Sequence, residues 1–199
     1  SRASSPEAMG ACYAKLFGFM HQKLQERREN PGEDLLSTLI QGKVDGEPVP
    51  DQAALSMCAT VFIGGMDTVV SVLSFIMHYL AEHPQQREAI AAQREELGNE
   101  IIDELLRNFG VANIRRLTTG DFTYRGVQFK QGERVVIITP ILNLDPAHTE
   151  NPMEMDFSRK QPLNLIFGSG PHRCPGAPLA RFEVRVFLEE WFKVIPTFG

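Results

Sequence analysis

The 199-residue sequence has few cysteines and no marked excess of charge of either sign. Its three cysteines, Cys12, Cys58 and Cys174, are too few and too widely separated for a disulfide framework. A formal net charge of −5 offers no basic footprint, so we expect neither nucleic acid nor a membrane as a partner. The N-terminus lacks an initiator methionine and the basic, then apolar, pattern of a secretory signal. These absences predict a trimmed cytoplasmic protein.

The pattern of apolar residues predicts one mainly α domain over residues 1–199 with a small antiparallel β region. Helical spacing indicates helices over about 6–28, 34–41, 51–83, 84–98, 99–110 and 177–192, with Asp51 as N-cap of the third. Between residues 115 and 139, short β-branched runs are separated by Arg125-Gly126 and Gln131-Gly132, which predicts two antiparallel hairpins. A proline- and glycine-rich irregular stretch follows and leads to the last helix.

Residues 52–81 form an apolar stretch that is long enough to span a bilayer and contains one formal charge, Asp67. However, several hydroxyl side chains and two adjacent glycines interrupt it, and no Lys or Arg flanks either end. We therefore interpret it as a long helix buried at the centre of a soluble fold.

Cys174 lies in a glycine-rich loop directly before the last predicted helix. The helix N-terminus and the neighbouring His172 and Arg173 favour a thiolate, which is either a nucleophile or a metal ligand. Neither Cys12 nor Cys58 lies at the short spacing that a zinc site requires. A turn that happens to contain a free cysteine has the same pattern, so that alternative stays open.

The segment Gly64-Gly65-Met66-Asp67-Thr68 places two glycines and a carboxylate in the middle of the long helix. Glycine destabilises a helix interior, and a carboxylate buried without partners is also destabilising. Such local losses of stability are expected at functional sites. Gly64, Gly65 and Thr68 share a helix face, where a flat ligand could lie on bare backbone, and the Thr68 hydroxyl can bond the Gly64 carbonyl. The alternative is a close helix-helix contact at the glycines, with Asp67 reaching solvent.

Glu104 and Arg107 form an i,i+3 pair on the helix predicted over 99–110. They face away from its apolar stripe, so taken alone they predict a solvated ion pair worth about 0.2–0.5 kcal/mol.

Together, in this order, the three motifs resemble the signatures of the cytochrome P-450 family of haem-thiolate monooxygenases, most closely its bacterial camphor-hydroxylase branch. The family's cysteine signature is matched by Phe167, Gly170, His172, Cys174 and Gly176. Its central-helix signature is matched by Gly64, Gly65, Asp67 and Thr68. Its Glu-x-x-Arg signature is matched by Glu104 and Arg107, with Arg159 where the family places the arginine of a buried triad.

The resemblance implies a P-450 fold, in part, with Cys174 as the axial thiolate ligand of iron in haem b (iron protoporphyrin IX). It implies cofactor contacts at Phe167, Gly168, Gly170, His172, Gly176, Arg115, Gly64 and Gly65, of which His172 and Arg115 would meet the haem propionates. It assigns proton delivery to Asp67 and Thr68, and substrate contacts to Thr60, Ile63, Gly64 and Val111. Glu104, Arg107 and Arg159 would be structural.

The implied function is insertion of one oxygen atom from O2 into a small apolar, terpenoid-like substrate. Electrons would come from a ferredoxin and its NAD(P)H-dependent reductase. The chain corresponds to the C-terminal half of the family's fold, and neither the N-terminal half nor the final β-hairpin has a counterpart here. The first alternative is therefore a non-catalytic haem-binding fragment or remnant, and the second is a non-haem cysteine hydrolase.

Overall fold

The computed structural model describes residues 5–160 and 164–199. Over those ranges the chain forms seven α-helices and three two-stranded antiparallel sheets, which confirms the predicted mainly α class with a small β region. It divides into two compact units, Ser1–Met66 and Asp67–Gly199.

The first unit is built on helix α1 (Pro6–Glu29), the short helix α2 (Leu35–Gln41), a hairpin of β1 (Lys43–Val44) and β2 (Glu47–Pro48), and the first half of α3 (Asp51–Glu82). Ser5 and Asp34 cap α1 and α2, each accepting a hydrogen bond from a backbone N–H of the first turn. The core of this unit consists of Met20, Leu24, Ile40, Val49, Ala54, Leu55 and Ala59.

Asp51 was predicted as the N-cap of α3 but is its first helical residue. Its carboxylate instead accepts hydrogen bonds from the guanidinium of Arg28, at 2.8 and 3.1 Å. The same guanidinium donates to the carbonyls of Ile40 and Val49, at 2.9 and 2.8 Å. The arginine therefore ties α1 to three later segments, a long-range role that local sequence does not reveal.

Helix α3 has nearly the predicted bounds, but the expectation that it is buried is wrong for this chain. Its two ends pack into the cores of their respective units, whereas large apolar side chains of the middle are exposed: Val61, Phe62, Ile63, Met66 and Val70. Among the described helices, α3 is long and apolar enough to cross a membrane, although core helices of soluble proteins meet the same test. The apolar composition of a helix favours its burial, but it does not specify which other segment packs against it.

The second unit contains the rest of α3 and α4 (Pro84–Ala91), α5 (Asn99–Asn108), β3 (Asn113–Leu117), β4 (Phe122–Tyr124), β5 (Val127–Phe129), β6 (Arg134–Ile138), α6 (Thr139–Asn143) and α7 (Ala177–Val194). Its core joins α3, α5 and α7 through residues that include Ile76, Leu80, Ile102, Leu105, Val184, Leu188 and Phe192.

Of the two predicted hairpins, one is present and the other is replaced by a longer-range pairing. Strands β4 and β5 are joined at Arg125-Gly126, where both residues have positive φ (49° and 83°), as a tight hairpin turn requires. The turn at Gln131-Gly132 does not pair β5 with β6; β6 pairs with β3, in a register that places Arg115 opposite Val136. The physical reason is length, because β6 and β3 match over five residues and β5 has three.

Candidate functional site

The loop that carries Cys174 is folded back on itself by hydrogen bonds between its own backbone groups. The Cys174 N–H donates to the Phe167 carbonyl at 2.8 Å, and the Gly168 N–H donates to the Leu165 carbonyl at 2.9 Å. Gly168 and Gly170 both have φ of +69°, a conformation that L side chains rarely adopt. Cys174 is exposed, three residues before α7 begins. The loop thus presents a thiol outward near the positive end of a helix.

Strand β3 lies against this loop. A Cβ on Gly168 would come within 3.3 Å of the Ile114 side chain, so glycine permits both the turn and the close approach of the strand. Arg115, the next residue of β3, is exposed and pairs through its backbone with Val136. The structure therefore places the strand of Arg115 beside the loop of Cys174. His172, on the same loop as Cys174, is also exposed.

Contacts of Phe167 and Arg181 connect the loop to helices α5 and α7. The guanidinium of Arg181, in the first turns of α7, lies 4.8 Å from the centre of the Phe167 ring. The Arg181 Nε also donates to Asp103 of α5 at 2.6 Å. The Phe167 side chain in turn packs against the core of the second unit. Neither Asp103 nor Arg181 was predicted as a site residue, because the two residues are 78 positions apart in the sequence.

Glu104 and Arg107 of α5 are completely buried, so the expectation of a solvated pair is wrong. The relative exposure of both side chains is 0%, and Arg107 Nε and Nη2 each lie 2.8 Å from a Glu104 carboxylate oxygen. Arg159 adds a second cation, with its Nε 3.3 Å from Glu104 Oε2. The structure therefore brings Arg107 and the partly exposed Arg159 together around the buried carboxylate of Glu104.

The pKa of Glu104 reflects these contacts. Burial raises it, but the hydrogen bonds from the Arg107 side chain and the Asp156 backbone N–H outweigh burial and hold it below its ordinary value. The carboxylate is therefore charged at neutral pH, and both arginines have a counterion. A buried arginine without that counterion would be strongly destabilising.

The remaining donors of Arg107 bind backbone carbonyls of the irregular stretch. Arg107 Nη1 donates to the carbonyls of Asn143 and Pro152, at 2.9 and 2.8 Å. The side chain of Asn143 donates back to the Arg107 carbonyl at 3.2 Å and accepts from the Leu165 N–H at 2.8 Å. Because Leu165 begins the turn that leads to Cys174, α5 is connected to the cysteine loop through Asn143. Sequence reasoning missed Asn143, which no motif distinguishes.

The three cysteines have different environments. Cys12 is exposed, whereas Cys58 is half-buried and burial raises the pKa of its thiol. Within the described ranges, no group of three or more His, Cys, Asp or Glu side chains is placed to hold a metal ion. Haem iron takes its other in-plane ligands from the porphyrin, so the one exposed sulfur of Cys174 is suited to it in this respect.

The other predicted site residues lie on α3 and after α5. Asp67 and Thr68 are exposed in the middle of α3. Apart from the backbone of α3 itself, a Cβ added to Gly64 or Gly65 would meet no described atom within 4 Å, so no other described helix packs closely there. Val111 is partly buried and packs against the core of the second unit. The space that side chains would fill at the two glycines is therefore not taken by another described segment.

A cavity in the first unit collects three of the predicted substrate residues. Its volume is about 550 Å³, and it is lined by Phe17, Ser56, Ala59, Thr60, Ile63 and Gly64. Phe17 comes from α1 and the others from α3, so the cavity is an open groove between the two helices. Phe17, Ser56 and Ala59 were not predicted as substrate residues, because none of the sequence motifs contains them.

Comparisons with known proteins identify the family to which the chain belongs. The sequence model of the family described as "Cytochrome P450" matches residues 6–193. The probable cytochrome P450 127A1 of Sinorhizobium fredii is 31% identical over 192 residues, which are 96% of this chain and 46% of that protein. A vitamin D3 dihydroxylase of Streptomyces griseolus is 30% identical over 97% of this chain and 48% of its own length.

Solved structures show the same relationship. The crystal structure of CYP101J2 superposes with a TM-score of 0.86 at 38% identity, over 92% of this chain and 47% of that one. CYP109E1 from Bacillus megaterium, crystallised with testosterone, superposes with a TM-score of 0.88 at 29% identity, over 96% and 53% of the two chains. The chain thus spans about half the length of the curated relatives it matches.

Proposed function

The chain belongs to the cytochrome P450 family, and from that premise we propose that it is the C-terminal portion of a bacterial haem-thiolate monooxygenase. The observation that carries this proposal is the presentation of Cys174. Its thiol is exposed, its backbone N–H is bonded within the loop, and two glycines with positive φ shape the turn before it. A catalytic cysteine nucleophile would also need a positioned base, and no motif places one here.

Haem b would be held by Cys174 and the loop residues Phe167, Gly168, Gly170 and Gly176. When bound, haem supplies the iron at which O2 is activated for insertion into the substrate. Arg115 and His172 are exposed groups on the strand and loop next to Cys174, and both carry N–H donors suited to propionate carboxylates. Gly64 and Gly65 would let the flat cofactor lie close to α3, since a Cβ at either position would meet no atom of another described segment within 4 Å.

Asp67 and Thr68 would deliver protons. They are the charged and hydroxyl side chains of an otherwise apolar helix segment, and both are exposed rather than packed into a core. A carboxylate can take a proton from solvent and a hydroxyl can relay it, which is the requirement for general acid catalysis at an apolar site.

The cluster of Glu104, Arg107 and Arg159 would have a structural role and take no part in the reaction. It holds the irregular stretch between α6 and α7 through backbone carbonyls, so it fixes the segment from which the cysteine loop emerges. None of its three side chains is free to exchange protons with a substrate, because each is committed to ion pairs and hydrogen bonds.

The substrate we propose is a small apolar molecule of terpenoid size, contacted by Thr60, Ile63, Gly64 and Val111. The mainly apolar cavity of the first unit supports this class. Electrons would come from a ferredoxin and an NAD(P)H-dependent ferredoxin reductase in the cytoplasm, as the resemblance implies for a bacterial protein of this type.

The decisive test is the absorption spectrum of the reduced full-length protein with carbon monoxide. A thiolate-ligated haem gives a strongly red-shifted Soret band, and a cysteine hydrolase gives none. Product analysis with the ferredoxin system then follows. Oxygenated product supports the monooxygenase, whereas a red-shifted band with no turnover of any apolar compound would favour a haem-binding module without catalysis.

A further inference from the structure

We propose that the cavity between α1 and α3 selects an apolar substrate that carries a hydrogen-bond donor, a hydroxyl or N–H group, over one of the same shape whose polar group is only an acceptor. This inference rests on the proposed function, because it identifies the substrate class of that enzyme more narrowly. Its basis is the hydrogen bonding of two hydroxyl groups in the cavity wall.

Ser56 and Thr60 are the polar side chains among the six that line the cavity. They lie four residues apart on α3, so they point from the same face of the helix, one turn above the other. Ala59, Ile63 and Phe17 supply the apolar part of the wall. A ligand in this cavity would therefore meet a mostly apolar surface and one short row of two oxygens.

Both hydroxyls already use their single proton. Ser56 Oγ donates to the Gln52 carbonyl at 2.8 Å, and Thr60 Oγ1 donates to the Ser56 carbonyl at 2.7 Å. A hydroxyl has one donor and two acceptor lone pairs, so each oxygen retains only acceptor capacity toward the cavity. A ligand hydroxyl or N–H can satisfy these lone pairs, whereas a ketone or ether oxygen placed there would face another acceptor.

A neutral hydrogen bond contributes modestly to binding, so discrimination should be about three- to tenfold in Kd. The test uses three probes of the same bicyclic skeleton: decahydro-2-naphthol, 2-decalone and decalin. Their affinities for the full-length protein are measured by titration calorimetry, which does not depend on a haem signal. We expect the alcohol to bind about three- to tenfold more tightly than the ketone.

Variants separate this preference from general differences in solubility between the probes. Thr60→Val, Ser56→Ala and the double variant remove the acceptors and leave no unpaired donor, so the alcohol-to-ketone ratio of affinities should fall about three- to tenfold, while decalin binding changes little. Ser74→Ala is the matched control. Its hydroxyl makes the same bond, to the Val70 carbonyl at 2.7 Å on the same helix, but it does not line the cavity. The alcohol-to-ketone ratio of affinities of Ser74→Ala should equal that of the parent protein.

The outcomes distinguish this inference from the proposed function. If the carbon monoxide spectrum shows thiolate-ligated haem but the double variant keeps the parental alcohol-to-ketone ratio, the inference is wrong and the proposed function stands. The same conclusion follows if none of the three probes binds. If the spectrum shows no such haem, the proposed function is wrong, and so is the inference that rests on it.

Discussion

Arg107 and Asn143 exchange two hydrogen bonds in the interior of the second unit. Arg107 Nη1 donates to the Asn143 carbonyl at 2.9 Å, and Asn143 Nδ2 donates to the Arg107 carbonyl at 3.2 Å. Both residues are 0% exposed. The Asn143 side chain also accepts a hydrogen bond from the Leu165 N–H. The pair therefore connects α5 to the segment before Cys174. Each of the two fully buried side chains thereby donates a hydrogen bond to the backbone carbonyl of the other residue.

Glu104→Gln should destabilise the protein by about 3–5 kcal/mol, because it leaves the buried Arg107 without its counterion. Urea unfolding of the full-length holoprotein measures the change. Glu190→Gln is the control, since Glu190 forms an i,i+3 pair with Lys193 on α7 but is exposed. That change should have no measurable effect. Equal effects of the two substitutions would contradict the buried-pair argument.

Stability should also depend on pH through Glu104. Burial raises the pKa of this carboxyl, but hydrogen bonds from Arg107 and the Asp156 N–H lower it further, so in the folded state it lies below its ordinary value of 4.5. The stabilisation is therefore present above pH 4.5 and is lost as pH falls toward the folded pKa. The free energy of unfolding should decline more steeply in this range for the parent than for Glu104→Gln. Parallel pH profiles would show that Glu104 contributes nothing to acid sensitivity.

Asn143→Ala should accelerate haem loss. It removes the partner of the Leu165 N–H and of the Arg107 carbonyl, and each buried group left unpaired costs about 1–3 kcal/mol. Transfer of haem from the full-length holoprotein to apomyoglobin measures the rate. Asn99→Ala, at the exposed start of α5, should leave the rate unchanged. A rate for Asn143→Ala equal to that of the control would mean that the link does not steady the cysteine loop.

Cys174 should be the one cysteine required for haem ligation. Cys174→Ala should abolish the red-shifted carbon monoxide band of the full-length protein, because no other thiol lies in a glycine-rich, electropositive loop. Cys12→Ser and Cys58→Ala should retain it. The assignment fails if Cys174→Ala keeps the band or if either of the other two variants loses it.

Thr68→Ala should uncouple electron supply from product formation. The substitution leaves Cys174 untouched but removes a hydroxyl that would relay protons. NAD(P)H consumption should continue, with a larger share of electrons appearing as hydrogen peroxide and less product per NAD(P)H. Ser74→Ala, one of the other hydroxyl positions of α3, should leave this ratio as in the parent. An unchanged ratio in Thr68→Ala would remove Thr68 from proton delivery.

Much of the candidate site could be predicted from local sequence, since its motifs are short and their conformations are local. The glycines around Cys174 permit the positive φ values that the loop adopts, and Arg125-Gly126 specifies the hairpin between β4 and β5. Most helix bounds also followed from apolar spacing and from breaks such as Pro84, although α4 ends at Ala91 and not near residue 98 as predicted. In each case residues a few positions apart determine the result.

Tertiary structure decided the features that depend on distant partners. Glu104 and Arg107 have the spacing of an ordinary surface pair, and they are buried because Asn143, Pro152 and Arg159, 36 to 55 residues away, complete their hydrogen bonds. The same holds for the pairing of β6 with β3. It holds as well for the cavity, where Phe17 of α1 meets residues of α3. The sequence by itself determined the local conformations, whereas burial and pairing arise from contacts between segments that a local pattern does not connect.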